Sequence, residues 1–160
     1  MKALIVYSSQ SGNTRKLAQS IYESLSVAKN MVPIEEAPKP GEDEILFLGF
    51  WLQGGKPDPK TADYLAKVGD ARIFLFATHG AAANSKHALD ALAHAKSLAS
   101  SATIVGQFSC QGQVNPKVLE KVRKKTPPPP WIQDADSAVG HPNSQDEADL
   151  RTVIEALSLD

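Results

Sequence analysis

Cysteine is nearly absent from this chain, since Cys110 is the single one among 160 residues. One thiol excludes an internal disulfide and a cysteine-rich metal centre. No Lys, Arg or His adjoins Cys110 in the sequence to activate it, so the residue is more typical of a small buried hydrophobe than of a nucleophile. The scarcity of cysteine fits a reducing compartment, and we expect a cytoplasmic protein.

An excess of charge is also missing, because 17 basic residues stand against 18 acidic ones and the net charge is −1. The chain therefore has no general field for nucleic acid or an anionic membrane, and we expect neither as a partner. Long apolar runs are lacking too. The first covers only residues 3–7, which is too short for a signal peptide, and no run approaches the ~20 apolar residues of a membrane span.

The chain also lacks histidines spaced so that they could bind a metal ion together. The histidines at positions 79, 87, 94 and 141 do not fall into a pattern that a metal ion requires, and we predict no metal site. Of the four histidines, only His79 lies in a loop directly after a predicted strand, at residues 78–84.

The most informative stretch that is present covers residues 8–14, Ser-Ser-Gln-Ser-Gly-Asn-Thr. It follows an apolar run predicted as a buried strand (3–7) and precedes an amphipathic segment predicted as a helix (15–25). Backbone N–H groups and the positive end of a helix dipole converge in such a loop, which favours a bound phosphate. The alternative is that the same side chains only cap the helix. The loop lacks the signatures of nucleoside triphosphatases and dinucleotide folds, so a monophosphate is the better ligand.

The rest of the chain alternates between two kinds of pattern. Further strands are predicted near residues 31–34, 44–49, 71–77 and 103–108, and helices near 58–67, 85–99, 115–122 and 144–157. Pro33 predicts an edge position for its strand, because proline removes a ladder hydrogen bond. Ser144 and Glu147 are predicted to form the capping box of the last helix. The pattern predicts one α/β domain, residues 1–160, with a parallel sheet covered by helices on both faces.

In such a sheet, ligands bind beyond the carboxyl ends of the strands, where the strand order reverses. The loops at residues 50–55, 78–84 and 109–112 end at the same edge as the first loop. Trp51 offers a flat aromatic plate there, although simple packing of the indole is the alternative. A phosphate loop, an aromatic plate and exposed backbone groups together favour a phosphorylated planar heterocycle as the ligand.

These motifs resemble the flavodoxin family. Residues 9–14 look like its Thr/Ser-x-Thr/Ser-Gly-x-Thr phosphate loop, and the spacing to Trp51, to residues 78–80 and to residues 110–112 is similar to the family's later flavin loops. The resemblance covers essentially the whole chain. It implies a flavodoxin-like three-layer sandwich, with a five-stranded parallel sheet of order 2-1-3-4-5 and helices on both faces, and one non-covalently bound FMN.

The resemblance also implies which residues bind this cofactor. The phosphate would contact Ser9, Gln10, Ser11, Gly12, Asn13 and Thr14; the ring would contact Phe50, Trp51 and Leu52; a peptide at Gly54 or Gly55 would turn toward the reduced flavin; and the pyrimidine edge and ribityl chain would approach Thr78, His79, Gly80, Cys110, Gln111 and Gly112.

The function that the resemblance implies is an FMN-binding electron carrier that shuttles electrons between a reductase and an acceptor protein, with no catalytic residues of its own. The alternative is an FMN-dependent NAD(P)H reductase of quinones or another small acceptor, so whether the chain is an enzyme stays open. A phosphoacceptor signalling domain on the same fold would need acidic residues after the first strand, and none is present there. The oligomeric state is open as well.

Two departures from the family pattern bear on the redox properties. Flavodoxins commonly carry a Tyr in the third loop and acidic residues around the flavin, and residues 78–84 contain neither. We therefore predict a more exposed flavin that is easier to reduce, because fewer negative charges would oppose the reduced form.

Two stretches near the end of the chain keep alternative interpretations. Prolines at 127–130 precede Trp131, and they predict either a surface connection packed down by the indole or a docking site for a redox partner. The basic cluster of Lys121, Arg123, Lys124 and Lys125 is typical of a solvated helix end that complements the helix dipole.

Overall fold

A computed structural model describes residues 1–159 of the chain. The strands are β1 (Lys2–Tyr7), β2 (Ala28–Pro33), β3 (Glu44–Gln53), β4 (Lys56–Pro57), β5 (Arg72–His79) and β6 (Thr103–Gln111). The α-helices are α1 (Asn13–Ser24), α2 (Pro59–Leu65), α3 (Lys86–Leu98), α4 (Pro116–Arg123) and α5 (Ser144–Glu155), and short 3₁₀ helices occupy Ile34–Glu36 and Pro130–Asp134.

The sheet has the order β2-β1-β3-β5-β6, and every neighbouring pair in it is parallel. The two-residue β4 pairs antiparallel with the end of β3 and stands outside this order. If β4 is left out and the remaining five strands are numbered in chain order, the order becomes 2-1-3-4-5. The predicted fold is therefore confirmed. The strand that ends in Pro33 lies at the edge, where the missing N–H costs no interior ladder bond.

The central strands are apolar at successive positions because helices cover both faces of the sheet. Successive side chains point to opposite faces, and each set forms its own core. Leu46 and Leu48 of β3 belong to a core that includes side chains of α2 and α3. Phe47 of the same strand packs in the other core, with Leu17 of α1 and Leu150 of α5. The result is a three-layer sandwich whose strand order reverses between β1 and β3.

The start of the last helix differs from the prediction by one residue. The N-cap of α5 is Asn143, whose side chain accepts hydrogen bonds at the helix start, while the Asp146 carboxylate accepts the Asn143 N–H. The predicted box of Ser144 and Glu147 is therefore wrong. Both pairs have the spacing of a capping box, and the sequence pattern alone did not distinguish them.

Candidate functional site

A cavity of about 320 Å³ opens at the carboxyl edge of the sheet. The loops after β1, β3, β5 and β6 all contribute to its wall. The residues predicted for a cofactor site that line it are Ser9, Gln10, Ser11, Asn13, Thr14, Trp51, Leu52, Gly54, Gly55, Thr78, His79, Gly80 and Gly112. The structure thus brings together four loops that are widely separated in the sequence.

Four predicted residues lie outside the lining. Phe50 is fully buried in the core on the α2 and α3 side, and Cys110 is buried in the opposite core beside α1 and α5. Gln111 directs its side-chain amide to the segment around Asp134. Gly12 shapes the first loop through its backbone and does not line the cavity. The side chains of Phe50 and Cys110 thus pack in the two cores rather than against the cavity.

The first loop is a tight turn from β1 into α1. The Ser9 hydroxyl accepts hydrogen bonds from the N–H groups of Gly12 at 3.1 Å and Arg15 at 3.4 Å, so it caps the helix from inside the loop. Gly12 has a φ of +93°, in the left-handed region that glycine adopts without a steric penalty. Helix capping and phosphate binding are thus compatible in this loop. The Ser9 hydroxyl caps the helix, and the other polar groups of the loop stay available for a ligand.

Backbone donors in this loop are free. Among the hydrogen bonds of residues 1–159, none uses the N–H groups of Ser11, Asn13 or Thr14. Free N–H groups in the first turn of a helix point along its axis, and the helix dipole adds positive potential there. This end of the cavity therefore presents hydrogen-bond donors and positive potential, a combination that suits an anion.

The side chains that follow tie the loop to the sheet. The Thr14 hydroxyl is buried and lies 3.0 Å from the hydroxyl of Thr78 on β5. The Asn13 side-chain amide donates to the backbone oxygen of Gln113 at 3.1 Å. Gly112 passes so close that a Cβ there would lie 2.7 Å from the Asn13 amide nitrogen. The Thr14 hydroxyl, predicted as a phosphate ligand, thus connects the start of α1 to the end of β5, and its backbone N–H is the group left for a ligand.

A buried carboxylate links the end of β1 to the next loop. Asp58 is only 2% exposed, and it accepts hydrogen bonds from the Ser8 hydroxyl at 2.7 Å and the Thr61 hydroxyl at 2.8 Å. It is also the N-cap of α2. Its backbone N–H donates to the Trp51 carbonyl oxygen at 3.1 Å. One residue therefore fixes the phosphate-loop strand, the Trp51 strand and the start of a helix relative to each other.

The second loop is a hairpin rather than an open loop. The strand β3 runs on to Gln53 and turns back into β4 through two glycines, Gly54 at φ +60° and Gly55 at φ +75°. Positive φ at both central residues is the requirement of a type I′ turn, which favours glycine. A Cβ on Gly55 would lie 3.3 Å from the imidazole carbon of His87 in α3. The hairpin holds Trp51 and Leu52 against the cavity.

Among residues 1–159, His79 is the one buried titratable side chain that lines the cavity. Its Nδ1 lies 2.8 Å from the Ala81 carbonyl oxygen, which can only accept, so Nδ1 carries the proton. Burial lowers the pKa of His79 below its ordinary value and outweighs the hydrogen bond to Ala81, which raises it, while nearby His87 lowers it further, so the ring is neutral at pH 7. Its Nε2 has no hydrogen-bond partner among the described residues. This nitrogen is an acceptor that a ligand N–H or O–H would satisfy.

The sequence-based reasoning missed one wall of the cavity. Beyond the predicted residues, the lining includes His87, Gln113, Val114, Asn115, Val118 and Trp131. Trp131 lies over Gly80, where a Cβ would be 3.1 Å from the indole. Its 3₁₀ segment is held to the third loop by the Asp134 carboxylate, which accepts the Ala82 N–H at 3.0 Å. The available signal was the proline run, since prolines stiffen a chain and deliver the next side chain to a defined place.

The cavity is electrically neutral along its wall. As far as residues 1–159 define it, the lining contains no Asp, Glu, Lys or Arg side chain. Burial raises the pKa of the Cys110 thiol, which keeps that thiol protonated in the nearby core. Within the same residues, no three His, Cys, Asp or Glu side chains are grouped to hold a metal ion. None of the helices in this part of the chain has the length and apolar character needed to span a membrane.

Comparison with known proteins gives consistent matches over nearly the whole chain. A family profile for the flavodoxin domain matches residues 4–155. A flavodoxin-like domain-containing protein BilS from Clostridioides difficile (strain CD3) is 28% identical over 162 residues, which cover 98% of this chain and 92% of the relative. A protein of the same name from Clostridium symbiosum (strain WAL-14163) is 30% identical over 174 residues, covering 92% of this chain and 91% of the relative.

Solved structures share the architecture at low identity. One is a flavoprotein from Lactobacillus acidophilus NCFM, solved in complex with FMN, with a TM-score of 0.51 at 15% identity. The match covers 68% of this chain and 92% of the flavoprotein chain. An azoreductase from Bacillus anthracis str. Sterne has a TM-score of 0.61 at 12% identity and covers 98% of this chain and 99% of its own. At these identities the likeness concerns the fold alone.

Proposed function

Since the chain belongs to the flavodoxin family, we propose that it binds one FMN non-covalently and carries electrons between a reductase and an acceptor protein. The observation that carries the proposal is the cavity at the reversal of strand order, with free N–H groups at one end and two tryptophans in its wall. A phosphate and a planar ring are the two parts of FMN that such a site suits. The FMN complex that shares this fold supports the same cofactor.

The residues present fit this group. The free N–H groups of Ser11, Asn13 and Thr14, together with the Ser11 hydroxyl, would hold the phosphate. Trp51 and Trp131 would provide the apolar surface for the ring. The Nε2 of buried His79, which has no partner among the described residues, is an acceptor that a polar edge of the ring would satisfy.

The protein's own contribution is binding, orientation and the local electrostatic environment. When bound, FMN supplies one- and two-electron redox chemistry, and no side chain of the cavity is required to form a covalent bond. Trp51 and Trp131 would exclude water from the ring. A neutral wall adds no repulsion against negative charge, which favours easier reduction.

The visible spectrum of the purified protein, before and after addition of excess FMN, tests the proposal. We expect flavin absorption and saturable uptake. We expect Ser11→Ala to weaken FMN binding about tenfold, because a hydrogen bond to a charged group contributes roughly 1.5 kcal/mol. Ser144→Ala, at the exposed start of α5, is the matched control and should bind FMN normally. A colourless protein that takes up no FMN would refute the proposal.

A reductase acting on a small acceptor is the second candidate. It is favoured by the part of the wall formed by Val118 and Trp131, which extends the cavity beyond the strand-end loops. Turnover of NAD(P)H with a quinone separates the two, since a carrier requires a separate reductase and should show almost none by itself.

A further inference from the structure

Positive charge is concentrated on one helix. The segment 117–125 holds five cations and one acid, a net charge of +4, whereas the whole chain carries −1, so all other residues together carry −5. The six charged side chains are Lys117, Glu120, Lys121, Arg123, Lys124 and Lys125. All six are exposed.

Ion pairing accounts for only part of this charge. Arg123 lies 3.4 Å from Asp136 and Lys124 lies 3.7 Å from Glu120. Within residues 1–159, no carboxylate lies within 4 Å of the other three cations, Lys117, Lys121 and Lys125. The internal network of the protein therefore leaves these three lysines available.

Helix-dipole compensation does not explain the charge either. Cations near the carboxyl end of a helix stabilise it, and Lys121 and Arg123 lie in the last turn of α4. Lys117 lies in the first turn, where a cation opposes the dipole and where α4 has no acidic residue. The positive charge extends over the whole helix although its first turn gains nothing from it.

The helix borders the cavity. Its N-cap, Asn115, lines the cavity, and so does Val118, which is 44% exposed. Val118 and Lys121 are three residues apart on a helix and therefore share a face. An apolar spot beside unpaired lysines thus stands at the mouth of the cavity.

The rest of the rim does not cancel this field. In the sequence around the four loops, residues 8–16, 50–58, 78–88 and 109–119, the single acidic residue is Asp58, which is buried and hydrogen-bonded. The segment after Trp131 adds two acids, of which Asp134 accepts the Ala82 N–H and Asp136 pairs with Arg123. Arg15 and Lys56 in the same stretches are exposed. The acids near the cavity are thus engaged in hydrogen bonds or an ion pair, while Lys117, Lys121 and Lys125 have no carboxylate within 4 Å among residues 1–159.

From these observations we propose that α4 and the two residues after it form a docking surface for a redox partner protein whose contact face is acidic. The inference rests on the proposed function, since it names the chemistry of the partner that exchanges electrons at the cavity. Complementary charge steers such a partner and fixes its orientation, while Val118 provides apolar contact at the cavity mouth. Nucleic acid suits the surface less well, because one eight-residue helix offers few phosphate contacts and the net −5 elsewhere repels a polyanion.

The experiment uses two haem proteins as probes, the acidic cytochrome b5 and the basic cytochrome c. FMN-loaded, reduced protein is mixed with each in a stopped-flow instrument at several salt concentrations. We expect faster electron transfer to cytochrome b5, slowing as salt rises. The double variant Lys121→Glu with Lys125→Glu should lower that rate roughly tenfold at low salt.

The matched control is Lys67→Glu with Lys96→Glu. It makes the same change in net charge with exposed residues near the ends of α2 and α3, at the opposite edge of the sheet, and should change the rate less than twofold. An equal effect of both double variants would overturn the proposal, since net charge rather than this surface would then govern the rate. Faster transfer to cytochrome c that slows with salt would overturn it as well.

Binding of cytochrome b5 to FMN-free protein, measured by calorimetry, separates this proposal from the proposed function. If the protein takes up no FMN, cytochrome b5 binding that only Lys121→Glu with Lys125→Glu abolishes still supports the surface, while no binding refutes it. Binding of a DNA duplex of about 20 base pairs with a dissociation constant below ~1 µM at about 150 mM salt would instead assign the helix to nucleic acid.

Discussion

At the scale of single residues, Asp58 joins parts of the site that lie far apart in the chain. Its carboxylate receives the Ser8 hydroxyl across 50 positions of sequence, and its N–H reaches the Trp51 carbonyl. A buried carboxylate is stable only when its oxygens are well supplied with donors. Ser8 and Thr61 supply them here, so all three residues depend on one another.

We predict that Asp58→Asn lowers the free energy of unfolding by about 1–3 kcal/mol. Asparagine still caps a helix, but it keeps one acceptor oxygen and directs an NH₂ group at a hydroxyl in a buried place. Urea unfolding measures the change. Asp63→Asn, at an exposed position of α2, is the control and should stay within about 0.5 kcal/mol of the wild type. Equal effects of the two substitutions would contradict a special role for the buried carboxylate.

His79 makes the stability of the protein depend on pH. Its pKa in the folded protein is below the ordinary value of 6.5 because the ring is buried, so the unfolded chain takes up a proton first as the pH falls. The stabilisation is fully present above about pH 6.5 and is lost as the pH falls toward the lowered pKa.

We predict that His79→Asn flattens this pH dependence. Asparagine can still donate to the Ala81 carbonyl, but it does not titrate. The free energy of unfolding, measured in urea between pH 7.5 and 5.5, should fall less steeply in the variant, by at most about 1.4 kcal/mol per pH unit. His94→Asn, which removes a partly exposed histidine of α3, is the matched control. If His79→Asn flattens the slope no more than His94→Asn does, His79 is not the source of the pH dependence.

At the scale of elements, the 3₁₀ segment Pro130–Asp134 replaces a feature that the third loop lacks. Residues 78–84 have no aromatic side chain, yet Trp131 lies over Gly80 and supplies an aromatic wall from a distant part of the chain. We therefore revise the sequence-based prediction of a more exposed flavin. The prediction of easier reduction, which depends on charge, is independent of this wall.

We predict that Trp131→Ala weakens FMN binding roughly two- to thirteenfold, the range that a loss of 0.5–1.5 kcal/mol from one aromatic contact gives. Titration of the FMN-free protein with FMN, followed by quenching of flavin fluorescence, measures it. Gln133→Ala changes an exposed residue of the same segment and should leave the affinity unchanged. If both variants bind FMN like the wild type, the indole contributes nothing to the site.

At the scale of the whole molecule, the distribution of charge matters more than its sum. A net charge of −1 suggests an electrically unremarkable protein, but the helix beside the cavity is strongly basic and the cavity wall is neutral. The sequence-based expectation of no general field for a charged partner was argued from the sum. A local field at the cavity mouth becomes visible once the positions of α4 and the loops are known.

We predict that one negative charge placed in the wall makes bound FMN harder to reduce. Gln113→Glu is suited to this, because the Gln113 side-chain oxygen accepts the Gly140 N–H at 3.0 Å and a carboxylate preserves that bond. The two-electron potential should fall by about 10–30 mV, which corresponds to roughly 0.5–1.4 kcal/mol. Asn30→Asp, on the exposed edge strand β2, adds the same charge outside the cavity and should shift the potential less. A higher potential in Gln113→Glu would contradict the electrostatic argument.

The sequence by itself determined what depends on near neighbours in the chain. Unbroken apolar runs marked the central strands, Pro33 marked the edge, and the hydroxyl-rich loop marked the start of α1. Periodicity, proline geometry and helix-start chemistry all act within a few residues, so they can be read without a fold. Asn143 and Ser144 are both suitable N-cap residues for α5, and there the local pattern gave the wrong residue, Ser144.

The tertiary structure alone decided what depends on how distant strand ends are placed. The Ser8 to Asp58 bond, the Thr14 to Thr78 contact and the position of Trp131 join residues 50 or more positions apart, and no local pattern encodes such pairs. The same reason explains why the sequence did not show that the side chains of Phe50 and Cys110 face the cores, since either could have faced the core or the cavity until the sheet fixed the orientation of its strand.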